Sequence, residues 1–209
     1  CGCFLSGSNP MSGILSDNVG RAGGLIKAAG GGGSLTFISN TDISDAATYD
    51  FTAFTPDSAE HYVFYLQNLT PATDAVHLWC RTSADGGSSF DSSSSAYNWG
   101  GMIPTAIDSS DGSDSEIALT GESSSAGQII GSAAGEEGIC GMVYLFGPHT
   151  TSRTFVMSLF AANPSNDVMG PYHIAGHRNS AAAVDGFRLL FSSGNIESGT
   201  VTVYSISNS

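Results

Sequence analysis

Residues 139–146 read Ile139-Cys140-Gly141-Met142-Val143-Tyr144-Leu145-Phe146. Successive side chains of a strand point to opposite faces. Ile139, Val143 and Leu145 therefore share one face with Gly141, and Met142, Tyr144 and Phe146 share the other with Cys140. Both faces are apolar. Such a strand is central in its sheet, or has its second face buried by a partner subunit.

The neighbouring stretches read the same way. Val76, Leu78 and Cys80 alternate with His77, Trp79 and Arg81, the period of a half-buried strand. Phe187, Leu189 and Phe191 share a face, and the β-branched run 200–206 reads as a strand closing a hairpin. Candidate strands are 35–39, 47–52, 61–68, 75–83, 115–119, 138–146, 154–161, 185–191 and 199–206. Asp85-Gly86-Gly87-Ser88 and Ser193-Gly194-Asn195 supply the positive φ angles of tight turns. The Ser/Gly/Asp stretches 88–95, 108–114 and 121–136 read as loops. Short strands with this punctuation predict an all-β chain: an antiparallel β-sandwich, jelly-roll-like, with an extended N-terminal arm.

The arm occupies residues 11–29, where Ile14, Leu15, Val19, Leu25 and Ile26 are scattered without a helical or strand period. Arg21 and Lys27, two of the chain's six basic residues, lie here too. Gly30–Gly33 reads as a hinge, since glycine favours no single backbone state. Scattered hydrophobes before a hinge read as a peptide that docks on a neighbour; a frayed terminus is the plainer alternative. The expected division is a leader or upstream segment at 1–10, an arm and hinge at 11–33, and a sandwich at 34–209. Reading Cys1 as the lipidated first residue of a lipoprotein is the alternative for the leader.

Composition narrows the function. Six Lys+Arg against 19 Asp+Glu give a net charge of −13. Phosphate binding needs clustered cations, so a nucleic-acid partner is excluded, and anionic lipid likewise rewards basic faces. No apolar run reaches the roughly 18 residues of a membrane span. Charged residues are 12% of the 209, about half the usual share. At 41% hydrophobic and 10% aromatic, the chain still has material for a core. The surface is thus polar but largely uncharged, a character suited to extracellular or virion proteins. Cys80 and Cys140 read as separate buried thiols, with a bridge between them as the alternative.

No catalytic geometry is nominated. Asp108, Asp111, Asp114 and Glu116 crowd nine residues, but without the twelve-residue calcium-loop spacing they read as a solvated acidic loop, so no metal or cofactor is assigned. His173 and His177 have i, i+4 spacing without the HExxH pattern, and read as loop histidines near a ligand or subunit surface. There is no GxSxG elbow, and no GK[ST] follows the glycine run. Tyr97, Trp99 and Tyr172 are the candidates for contact with a glycan or receptor, because sugar C–H faces pack on aromatic rings. Trp79, in mid-strand, reads as core or interface packing.

Several blocks together resemble a tailed-bacteriophage virion family of tail-fibre-like structural proteins. These are Met11-Ser-Gly-Ile-Leu-Ser-Asp-Asn-Val-Gly-Arg21, Asn68-Leu69-Thr70-Pro71-Ala72-Thr73-Asp74, Leu78-Trp79-Cys80-Arg81-Thr82-Ser83-Ala84-Asp85-Gly86-Gly87, Thr151-Ser152-Arg153, and Phe187-Arg188-Leu189-Leu190-Phe191-Ser192-Ser193-Gly194-Asn195. The resemblance spans most of residues 11–206. It implies a non-enzymatic appendage repeated by symmetry on the particle surface, as a homotrimer. Ile14, Leu15, Val19, Arg21, Leu25, Ile26 and Lys27 would anchor the arm to other virion proteins of tail or capsid. Loops 88–99 and 163–180 would meet a host surface glycan or the next virion protein. A capsid decoration or head-fibre protein is the alternative within phage. Outside it, the alternatives are a carbohydrate-binding sandwich and, third, a glycan depolymerase.

Overall fold

In Leu78-Trp79-Cys80-Arg81 the first and third side chains are buried while the second and fourth remain half-exposed. That alternation recurs through a chain whose described part contains strands and no helix. A computed structural model describes residues 34–54, 61–104, 106–110, 114–122, 130–133, 138–162 and 170–207, all within one unit, Ser34–Ser207. Its strands are β1 (Ser34–Ala46), β2 (Tyr49–Phe51), β3 (His61–Pro71), β4 (Leu78–Ser83), β5 (Tyr97–Ile103) and β6 (Ala106–Ser109). They continue with β7 (Ile117–Ala118), β8 (Ile139–Phe146), β9 (Phe155–Ala162), β10 (Gly170–Arg178), β11 (Gly186–Phe191) and β12 (Ile196–Ser207).

Antiparallel pairing builds two sheets. Eight strands run in the order β1-β12-β3-β8-β9-β10-β5-β6, and four in the order β2-β11-β4-β7. One core cluster draws side chains from both, so the sheets form a sandwich. Phe64 of β3 stacks on Phe187 of β11 at 4.5 Å between centroids, and Phe51 of β2 meets Phe64 edge-on at 5.4 Å. Polar contacts cross as well: the Tyr97 hydroxyl on β5 accepts the Thr82 N–H of β4 at 2.7 Å. Strand β8 is fourth of eight, central as its double apolar pattern requires.

The turn glycines do what their sequence context predicted: Gly86, Gly87 and Gly194 have φ of 71°, 82° and 73°. Gly141 has another reason to be glycine. Its φ is 150°, and a Cβ there would stand 2.2 Å from the Leu159 carbonyl oxygen of β9. The β8–β9 ladder therefore closes only over a bare Cα.

Several expectations need correction. Strands β5, β6 and β10 were not legible. Residues 170–178 are a strand rather than part of a loop, and His173 and His177 lie in it. Glycines weaken the strand signal of 97–103 and 170–178, yet they are what lets these two strands approach: a Cβ on Gly101 would sit 2.1 Å from the His173 carbonyl oxygen. The last strand does not close a hairpin with β11. It crosses to the other sheet, between β1 and β3. Cys80 is buried as expected, but Cys140 is exposed, and the two are unbonded. The Cys140 sulfur accepts the Asn68 N–H at 3.2 Å, across a register shift between β3 and β8.

Candidate assembly interface

The outward face of the eight-stranded sheet collects the second set of apolar side chains that the strand pattern foreshadowed. Register aligns them in three rows across the sheet. The first runs Leu35, Ile206, His61, Phe146, Phe155, His177. The second runs Phe37, Tyr204, Val63, Tyr144, Met157, Ala175. The third runs Thr202, Tyr65, Met142, Leu159, His173, Met102 and reaches Ile107 on β6. None of these positions is Asp, Glu, Lys or Arg. Phe37 is 58% exposed, Phe155 53% and Ile107 82%. Val63, by contrast, is 1% exposed without belonging to the core cluster, so its neighbours on this face bury it.

Rings hold one another in place. Tyr204 meets Phe37 edge-on at 5.8 Å and Tyr65 at 5.6 Å. Tyr144 stacks on Phe146 at 5.9 Å, and Phe146 meets His61 at 5.3 Å. Phe155 lies 5.5 Å from the His177 ring. Such pairs add roughly 0.5–1.5 kcal/mol beyond area burial and restrict the rotamers, so the surface is preshaped. Two shallow depressions interrupt it. One of 320 Å³ is lined by Leu35, Tyr65, Thr202 and Tyr204; one of 350 Å³ lies beside Phe155, Ala175 and His177. The Arg153 guanidinium reaches the His177 Nε2 at 2.9 Å on the border of the band. Burial, then Arg153, lowers the His177 pKa, which keeps that ring neutral.

A second cluster is acidic. Asp114, Glu116 and Glu122 bring carboxylate oxygens within 4.8 Å of one another, the one such group among the described residues able to offer three ligands to a metal. Two of its three carboxylates have partners: Arg81 contacts Glu116 at 2.9 Å, and the Trp99 indole N–H donates to Asp114 at 2.8 Å. The Glu122 N–H donates to Asp108 at 2.7 Å. Burial first, then Asp114, Glu116 and Asp108, pushes the Glu122 carboxyl up to about 7. The acidic stretch is thus tied into the small sheet through Arg81, where the sequence alone suggested a solvated loop.

The candidate glycan platform is corrected. Tyr97 and Tyr172 are fully buried and Trp99 is 4% exposed, all three in the core cluster. Burial pushes both tyrosine hydroxyls up to about 12. Trp79 is half-buried against the core, as mid-strand packing requires. The anchor candidates Ile14, Leu15, Val19, Arg21, Leu25, Ile26 and Lys27 lie outside the described residues, as do 163–169 of the expected distal loop. Sequence reasoning missed most of the apolar band. Its signal was present in β8 and, more weakly, in Phe155-Val156-Met157-Ser158-Leu159, where the outward positions are apolar too.

No helix among the described residues is long and apolar enough to cross a membrane. Compared with known proteins, the chain matches no protein-family model and no curated sequence.

Proposed function

We propose that this chain is a non-enzymatic structural subunit of a bacteriophage virion, a tail-fibre or surface-appendage protein on the particle surface. Its sandwich assembles through the apolar outer face of the large sheet, and residues 11–29 hold it to other virion proteins. The observation that carries the structural role is the uncharged aromatic band on a chain whose net charge is −13. Exposed apolar patches of this breadth mark contact sites. The sequence blocks that resemble tail-fibre-like proteins supply the virion part of the reading. The carbohydrate-binding alternative loses its aromatic platform, since Tyr97, Trp99 and Tyr172 face the interior.

The test is incorporation. Particles assembled from a genome carrying this gene are purified and their proteins identified by mass spectrometry. The full chain is expected in the particles, and a chain lacking residues 11–29 is expected to stay in the soluble fraction though folded. Absence of the full chain from particles overturns the virion reading; incorporation of the shortened chain overturns the anchor.

A further inference from the structure

We infer that the occupant of the apolar band is a second copy of this chain, packed face to face about a twofold axis that lies in the contact plane and crosses the centre of the band. This rests on the reading of that face as an assembly surface, and adds which partner it meets and how.

Charge favours a copy over a different protein. A twofold contact sets the same patch against itself, residue i facing residue j and j facing i, so a patch whose charges are all of one sign meets only like charge. For a chain of net charge −13, a patch that holds several Asp or Glu would meet that repulsion. The three rows carry no Asp, Glu, Lys or Arg, so here two copies meet without it. A charged partner would find one cation, Arg153, at the border of the band and none within its rows.

Area agrees. The rows cross six, six and seven strands, and at about 4.8 Å per strand and about 7 Å per row they cover about 600 Å². Stable pairs bury about 600 to 1,000 Å² on each side. Full overlap of two such bands needs the axis to cross the middle row at β8, beside Tyr144 and one strand from Met157. Three bands turned toward a common axis meet along their edges and leave their centres facing a void, so a pair covers the band more fully than the homotrimer that the family resemblance implies.

Met157 near the axis meets its own copy, which makes a charge test decisive. Sedimentation equilibrium of the full chain is expected to show a dimer. Met157→Asp and Met157→Lys should each weaken association by more than about tenfold, the loss of one buried anchor, and mixing the two should restore it. Ser92→Asp, on an exposed loop, should leave the dimer intact. Circular dichroism checks that each variant is folded, and Phe155→Ser, at a side chain already half exposed, repeats the test should either Met157 variant unfold.

A monomeric full chain overturns the inference. So does a dimer that survives both Met157 variants and Phe155→Ser, which places the contact elsewhere, the N-terminal arm included. A trimer that these variants dissociate overturns the twofold pairing but keeps the face as the assembly surface. None of these results bears on whether particles incorporate the chain, so the two proposals fail separately.

Discussion

On the outward side of the four-stranded sheet, Arg81 of β4 stands directly opposite Arg188 of β11. On the eight-stranded sheet the matching central place is held by Tyr144 opposite Met157. Two like charges opposite one another on a sheet repel, yet the small sheet answers each within the chain. Arg188 donates to both Asp50 oxygens, at 2.7 and 2.6 Å, and lies 4.0 Å over the Phe90 ring. Arg81 contacts Glu116 at 2.9 Å and donates from Nε to the Ser115 carbonyl at 3.2 Å. Both arginines of that face have their partners within the chain, although the buried Trp79 Nε1 beside them has none. The large face has satisfied ring edges but leaves its apolar side chains half in water, and only another surface can remove them from it. The difference between the faces is one between self-sufficiency and an unmet burial requirement.

The strongest way to break this comparison is to make the small face incomplete. Arg81→Ala leaves the buried Glu116 beside Asp114 and Glu122 with no cation, which should cost about 3 kcal/mol in urea unfolding at neutral pH. Adding Glu116→Gln should return most of it. A loss under about 0.5 kcal/mol would mean that water, not Arg81, compensates the cluster.

A smaller effect follows from Glu122. Its pKa is raised from 4.5 to about 7, so the folded chain holds this proton more tightly than the unfolded one. The corresponding stability is full below pH 4.5 and is lost as pH rises through 7. Glu122→Gln should therefore stabilise the chain at pH 8 and change little at pH 4, read as two denaturation midpoints. Equal effects at both pH values would refute the shared-charge account.

Arg188→Lys sharpens the contrast further. It keeps the charge but loses the two-pronged contact with Asp50 and the flat stacking on Phe90, and should cost about 1 kcal/mol or less. Smallest of all is the expected effect of Phe155→Ser on the isolated subunit. At dilutions where the chain is monomeric, it should shift unfolding by less than about 0.5 kcal/mol. A loss above about 2 kcal/mol would show that the band belongs to the fold's own core, and the distinction between the two faces would collapse.

Strand identity was legible wherever a run of residues carried its own period. Leu78-Trp79-Cys80-Arg81 and Phe187-Arg188-Leu189 alternate as read, and the doubly apolar β8 sits in the middle of its sheet. The paired strands β5 and β10 were not legible, because Gly100, Gly101 and Gly176 dilute their periodicity, while Gly101 and Gly176 serve the close approach of the two backbones. Of the candidate site, β8 announced an apolar second face and β9 did so more weakly. The rings that complete the band come from β1, β3, β9 and β12, which are distant in the chain, and alternation within a strand does not say which strands will lie side by side.

From residue order alone follow the all-β character, the turn positions and the acidic balance, because these depend on neighbours one or two residues apart and on simple composition. Which side of a strand faces the core, which aromatic side chains form a common surface and which are enclosed depends on pairing across the sheet. Tyr97 and Trp99 illustrate the limit: in a polar stretch they look like surface rings, but β5 lies between β10 and β6 and turns both toward the sandwich interior. Phe155 and Phe37 went the opposite way, left outward because the core on the other side of their sheet was already filled by Val156, Phe160 and their neighbours.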